Sequence, residues 1–171
     1  MFKIVITGVE CSGKSTLAQE IGKELGAPVL PEYAREYLAG LGRAYTIEDL
    51  NIIAREQARR EEEMHREDLV ICDTSFLVLY IWSNVKYGKV SPFIEDLLDR
   101  SAADLYLLPF WNIPYEEDPL REHPHEREGL YALYQRELEK REFQWRTVHG
   151  EKRDRLHQAL SIITPLIPTK S

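Results

Sequence analysis

The chain has few cysteines, no long apolar run and a deficit of positive charge, and each shortage excludes a class of protein. Its two cysteines, Cys11 and Cys72, can build neither a disulfide framework nor a zinc site. They suit a reducing compartment. No apolar stretch approaches the ~20 residues of a transmembrane helix, and no secretory leader is expected from the short apolar start. Lys and Arg total 22 against 29 Asp and Glu, a formal net charge of −7. That balance argues against nucleic acid or an anionic membrane as the main partner. Internal repeats and linker-like tracts are also missing. For 171 residues, the expectation is one domain over 1–171, with a full core, in the cytoplasm.

What the chain does have is concentrated near its start. Gly8-Val-Glu-Cys-Ser-Gly-Lys14-Ser15 lies between the apolar run Lys3–Thr7 and an amphipathic segment with Leu17, Ile21 and Leu25 four residues apart. G-x-x-x-x-G-K-S between a strand and a helix is the setting of a phosphate-binding P-loop. The four fixed positions match by chance about once in several hundred chains of this length, so the loop is taken as a nucleotide site. Gly8 and Gly13 let the backbone curl, so that amides from Glu10, Cys11, Ser12, Lys14, Ser15 and Thr16 can face a phosphate at a helix N-terminus. Lys14 can reach the β/γ-phosphates of ATP, and the Ser15 hydroxyl can hold Mg²⁺.

Short apolar runs alternate with helical patterns along the rest of the chain, which predicts an α/β fold with a parallel sheet. The strands are expected at Lys3–Thr7, Pro28–Pro31, Leu69–Asp73, Asp104–Leu108 and Phe143–Val148. A capping box at Thr46-x-x-Asp49 opens a long helix. A strongly apolar helix runs from Phe76 to Val85, and another starts at Ser91-Pro92. Further helices follow through Leu130–Leu138 and from about Glu151 to Ile163. The stretch 111–128, rich in Pro, charge and His, reads as a lid.

In open parallel sheets ligands bind at the carboxyl ends of the strands, and there the polar residues gather. Asp73 ends the third strand, where a carboxylate serves a metal; the competing reading is a helix cap. Glu32 and Arg35 follow the second strand and can orient an acceptor hydroxyl and neutralise a moving phosphoryl group, unless they form an ordinary surface ion pair. Arg121 and Arg127 in the lid can close on ATP and exclude water. His123 and His125, with no third ligand nearby, read as bystanders. Tyr80, Trp82 and Tyr87 read first as core and second as a stacking surface.

Four blocks in order make the chain resemble the ribosylnicotinamide kinase domain of NadR-type NAD-biosynthetic proteins, within the P-loop nucleoside and nucleotide kinase group. They are Gly8–Ser15, Glu32-Tyr-Ala-Arg-Glu-Tyr37, Ile71-Cys-Asp-Thr74 and Tyr115-Glu-Glu-Asp-Pro-Leu-Arg121. The first is shared by many functions; the second and fourth are particular to the family. The resemblance implies a five-stranded parallel sheet flanked by helices, with ATP–Mg²⁺ as donor and the 5′-hydroxyl of nicotinamide riboside, or another nucleoside, as acceptor. Lys14 and Ser15 would serve ATP and metal, and Asp73 would serve metal and base duty. Glu32, Tyr33, Arg35, Asp118 and Arg121 would serve the acceptor and lid side. Three positions depart from the family pattern. Pro31 stands where an aromatic precedes Glu-Tyr, Ser75 replaces the second Asp of Asp-Thr-Asp, and Pro119 replaces a glycine. The adenylyltransferase domain often fused to this kinase is not expected here.

The leading expectation is therefore an ATP-dependent small-molecule kinase. A kinase for another metabolite and a non-catalytic ATP-binding regulatory module are the rivals. No Asn-Lys-x-Asp or Asp-x-x-Gly switch supports a GTPase.

Overall fold

In the computed structural model, which describes residues 1–112 and 126–168, five strands form one parallel sheet in the order β2-β3-β1-β4-β5. They are β1 (Phe2–Ile6), β2 (Val29–Leu30), β3 (Leu69–Asp73), β4 (Leu105–Pro109) and β5 (Trp145–Val148). The helices are α1 (Lys14–Leu25), α2 (Tyr33–Ala39), α3 (Ile47–Glu63), α4 (Phe76–Tyr87), α5 (Pro92–Arg100), α6 (Arg127–Lys140) and α7 (Lys152–Ile163). A 3₁₀ turn, Thr164–Leu166, follows α7. The five-stranded parallel sheet flanked by helices matches the fold class read from the sequence. β2 is shorter than the run Pro28–Pro31, because a proline has no N–H to donate to the ladder.

Both faces of the sheet are covered, which is why its strands are apolar throughout instead of alternating with polar residues. Val5, Val70, Cys72, Tyr106 and Leu108 face a core built with α3, α4, α5 and α6. Ile4, Ile6, Ile71, Leu105, Leu107 and Val148 face the other core, where α1 and α7 supply Leu17, Ile21, Ala159 and Ile163. The single leftward step, β1 to β2, carries α1 on one face. The rightward steps carry their helices on the other, as a constant crossover hand requires. The chain therefore leaves β1 toward one face and β3 toward the other. The crevice that opens between their carboxyl ends is where such sheets bind ligands.

Local signals set the helix ends. Thr46 and Asp49 form the expected reciprocal capping box at the start of α3. Ser91 accepts from the Ile94 amide at the start of α5, where Pro92 takes the first helical position. Gly26 ends α1 in the left-handed region. Apolar on nearly every face, α4 is buried from Phe76 through Ile81.

Two helix glycines are in opposite situations. A Cβ on Gly22 would lie 2.3 Å from Val29 Cγ2 and 3.0 Å from the Ala27 carbonyl oxygen, so Gly22 lets α1 seat against β2. A Cβ on Gly129 in α6 would meet nothing within 4 Å. Gly22→Ala is expected to destabilise by about 1–2 kcal/mol, since overpacking outweighs the gain in helix propensity. Gly129→Ala should stabilise by about 0.5–1 kcal/mol. Melting temperatures should move in opposite directions, by about 2–4 °C per kcal/mol; a rise for Gly22→Ala would contradict the packing described.

Candidate active site

The loop between β1 and α1 is bent into its shape by three left-handed residues. They are Gly8 (φ 131), Cys11 (φ 56) and Gly13 (φ 78). Gly8 also has no room for a side chain, since a Cβ would lie 2.9 Å from Leu108 Cδ1. Gly13 precedes α1 with no side-chain cap, so the helix's first amides are left to an outside acceptor. The loop carbonyls are engaged by side chains. Val9 O accepts from Ser12 Oγ and Lys14 Nζ, each at 2.8 Å. Cys11 O accepts from Arg127 at 3.4 Å, and Ser12 O from Arg155 at 2.6 Å. With these acceptors occupied by side chains, the loop can aim its N–H dipoles inward.

Asp73 stands beside this loop because of strand register: it pairs with Ile6, the last residue of β1. The following turn is strained, with β-branched Thr74 at φ 71. Its amide donates to Ile6 O at 2.9 Å, tying the turn to β1. Asp73 does not cap α4, whose N-cap is Ser75. Asp73 Oδ1, Ser75 Oγ and Thr7 Oγ1 are buried and have no hydrogen-bond partner among the described residues. These unpartnered oxygens sit where β1 and β3 end, and they suit a hard, oxygen-binding cation. Ser15, exposed at the start of α1, and Asp73 fit Mg²⁺, which takes one or two protein oxygens and completes its shell with phosphates and water.

Glu32 occupies the N-cap position of α2 with no capping bond of its own. Burial pushes its carboxyl above the usual range, with Asp73 adding to the effect and Lys14 opposing it. Burial likewise pulls Lys14 down, opposed by Glu32, Asp73 and Glu10. The four groups thus share one electrostatic cluster, and exposed Arg35 is near enough to act on both Lys14 and Glu32. Glu36, the neighbouring acid, is instead paired with Arg60 at 3.0 Å. Arg60 also lies 4.4 Å from the ring centroid of Tyr33.

Arg127 opens α6, nearly buried, with its guanidinium 5.9 Å from the Trp111 ring. Asp118 and Arg121, both histidines 123 and 125, and residues 113–125 of the expected lid lie outside the described residues.

Two site residues escaped the sequence reading. Arg155, only 4% exposed, donates to Ser12 O, Gly150 O and Phe110 O, joining the phosphate loop to the ends of β4 and β5. Gln57, also 4% exposed, accepts from the Tyr33 amide at 3.4 Å and has no partner for its Nε2 among the described residues. A signal was available for both. Arg155 shares the buried stripe of α7 with Ala159 and Ile163, and Gln57 that of α3 with Leu50, Ile53 and Ala54. Polar residues on an apolar stripe mark a bonded role.

Among the described residues one cleft includes Glu32, and a second borders Glu10 of the loop. The smaller, about 220 Å³, is lined by Glu32, Tyr33, Gln57, Thr74 and Ser75 among others. The larger, about 480 Å³, lies between Glu10 of the loop and the aromatic residues Tyr45, Trp82 and Tyr134.

A family model described as AAA domain matches residues 3–155. The trifunctional NAD biosynthesis/regulator protein NadR of Salmonella typhimurium (strain LT2) is 29% identical over 124 residues, 69% of this chain and 30% of that protein. The chain thus spans about 30% of that relative's length. A crystal structure of NadR protein in complex with NR aligns with a TM-score of 0.75 at 19% identity, over 99% of this chain and 50% of that one. Deoxyadenosine kinase from M. mycoides with bound dCTP aligns with a TM-score of 0.66 at 16% identity, over 96% of this chain and 100% of that one. These structural likenesses show a shared fold, and the NadR matches agree with the resemblance carried by the sequence blocks.

The raised Glu32 carboxyl makes a testable statement about stability. A folded-state pKa above the unfolded one means that the native state prefers the protonated acid. The penalty of ionising it is complete above the folded pKa and vanishes below the unfolded one. Glu32→Gln should therefore melt at a higher temperature than the parent at pH 8, with the gap closing toward pH 4. A lower melting temperature at pH 8 would show that the carboxylate stabilises the fold.

Proposed function

Since the chain belongs to the AAA domain family, whose model covers residues 3–155, we propose that it is an ATP-dependent kinase that phosphorylates a hydroxyl group of a small molecule. The observation that carries the reading is the convergence of Lys14, Glu32 and Asp73 at the N-terminus of α1, in the crevice between β1 and β3. A nucleotide-binding module needs the loop and the lysine. It has no use for a desolvated, proton-seeking carboxylate beside them.

In this reading the loop amides and Lys14 hold the β- and γ-phosphates. Ser15 and Asp73 are the residues that would hold Mg²⁺, which supplies charge neutralisation on those phosphates. The acceptor oxygen forms its bond to the γ-phosphorus as the bond from that phosphorus to the β,γ-bridging oxygen breaks, and ADP leaves. Glu32 receives the hydroxyl proton; burial has raised its affinity toward the range a general base needs at neutral pH. Because the transition state is loose, positioning and charge matter more than base strength. Arg35 and Arg127 supply positive charge from the two sides.

The favoured acceptor is nicotinamide riboside, phosphorylated at its ribose 5′-hydroxyl. Support comes from the sequence blocks around Glu32 and Arg121 and from the likeness to NadR. A second reading, another nucleoside as acceptor, draws on the likeness to deoxyadenosine kinase along its whole length.

The test is to incubate the protein with ATP–Mg²⁺ and a panel of ribosides and deoxynucleosides, and to search by mass spectrometry for a new phosphate ester. The expected product is nicotinamide riboside 5′-phosphate. Lys14→Ala should lower kcat/KM by about two to three orders of magnitude, the loss of a positioned charge in a dry site. Turnover that survives this change would refute the reading of the loop. Phosphorylation of deoxynucleosides alone would favour the second reading.

A further inference from the structure

The buried cation behind the phosphate loop takes no part in the steps above, yet its bonds reach into the loop itself. Arg155 on α7 donates to Gly150 O, Ser12 O and Phe110 O at 2.7, 2.6 and 2.7 Å. Phe110 and Gly150 follow β4 and β5, strands fixed in the sheet, whereas Ser12 lies at the bend of the phosphate loop. Burial pulls the guanidinium below its usual range, and the Tyr131 hydroxyl opposes that shift. Among the described residues no carboxylate pairs with it.

The bond to Ser12 O sets more than the place of one oxygen. In a planar trans peptide the C=O and the following N–H point in opposite directions. With the Ser12 carbonyl drawn toward α7, the Gly13 N–H is turned away from α7, toward the inside of the loop. That amide donates to no backbone carbonyl among the described residues. The peptide also has an alternative. Turning it over changes ψ of Ser12 and φ of Gly13, and a glycine takes either sign of φ at little cost. Gly13 now sits at φ 78. Neighbouring bonds do not hold this peptide: Ser12 reaches Val9 O through its side chain, and the Leu17 amide bonds Gly13 O, which belongs to the next peptide. The hold comes from Arg155.

We propose that Arg155 is a positioning residue for the donor nucleotide, holding the Ser12–Gly13 peptide so that the Gly13 N–H faces the phosphate and lending its uncancelled charge to the loop. The inference rests on the reading of the loop as a polyphosphate site, and it deepens that reading. In a loop free to turn this peptide over, a share of the molecules would aim a carbonyl oxygen at the phosphate oxygens. Affinity falls in proportion to the fraction that remains competent. The charge acts in the same direction, since a desolvated cation without a carboxylate partner gains from an anion bound nearby. Lysine keeps the charge but not the planar fork that reaches three carbonyls, so it should replace Arg155 only in part.

Calorimetric titration with ADP, joined to heteronuclear NMR of glycine-labelled protein, tests this without turnover. Arg155→Met should weaken ADP binding about tenfold or more, and Arg155→Lys about threefold or more but less than Arg155→Met. In the parent, ADP should move the Gly13 amide proton downfield, as a hydrogen bond to phosphate does. At saturating ADP that shift should be smaller in Arg155→Met. A residue that merely supports the fold would lower the melting temperature and leave the Gly13 shift at saturation as it is in the parent. An ADP affinity within about twofold of the parent's in Arg155→Met, or an unchanged Gly13 shift at saturation, would overturn the assignment. A parent protein that does not bind ADP would overturn it together with the reading of the loop. If Arg155→Met does not fold, Arg155→Lys carries the same two readouts. Binding that depends on Arg155, with no phosphate ester formed, would leave the inference standing and remove the kinase reading. Ester formation with an ADP affinity indifferent to Arg155 would do the reverse.

Discussion

A lysine drawn out of water among three carboxylates sets the terms for the whole carboxyl edge of the sheet. Lys14 loses hydration, and Glu32, Asp73 and Glu10 offset part of that loss by attraction. The same acids repel an incoming polyphosphate, so the site needs positive potential from elsewhere. The α1 N-terminus gives some. Arg155 gives more: its bonds to Ser12, Gly150 and Phe110 all end on carbonyl oxygens, which satisfy the guanidinium without cancelling its charge. Arg127 approaches the loop in the same manner through Cys11 O. A chain with a net charge of −7 can thus present an anion site locally.

Holding such a cluster requires a stiff frame, and two contacts outside the site help provide it. Asp49 accepts from Arg43 at 2.7 and 2.9 Å, from the Tyr37 hydroxyl at 2.8 Å and from the Thr46 amide at 2.7 Å. Its carboxyl is held well below the usual range, chiefly by Arg43. That stabilisation is present at neutral pH and is lost only as acid protonates the group. The knot fastens α2 to the start of α3, and α2 begins at Glu32's neighbour. At the amino end of β1, the central strand, Lys3 pairs with Glu61 at 2.9 Å in a buried contact, which ties β1 to α3. The strained turn at Thr74 is held to the end of β1 by the bond from its amide to the Ile6 carbonyl.

How much of this could be read from the sequence depended on the range of each interaction. The phosphate loop, the capping box at Thr46 and Asp49, and the carboxylate at the end of β3 are local patterns, and they lie where the periodicity and motif placed them. Glu32 was legible as a carboxylate after a strand, but its desolvation arises from groups distant in the chain. Arg155 and Gln57 appeared only as polar intrusions on buried stripes, since their partners come from other elements. The aromatic cleft was legible only as the second reading of Trp82, after core, for the same reason. Trp82 fits a core stripe on its own, and it becomes a wall only once Tyr45 and the phosphate loop are brought against α4.

The central claim is that these groups pass a phosphoryl group to a hydroxyl rather than merely hold a nucleotide. The most direct measurement is the ratio of ADP released to phosphate ester formed, with and without a riboside acceptor. The account predicts near-background ADP release without acceptor, and one ADP per ester once the acceptor is added. ADP release that is the same in its presence and absence, with no ester formed, would contradict it.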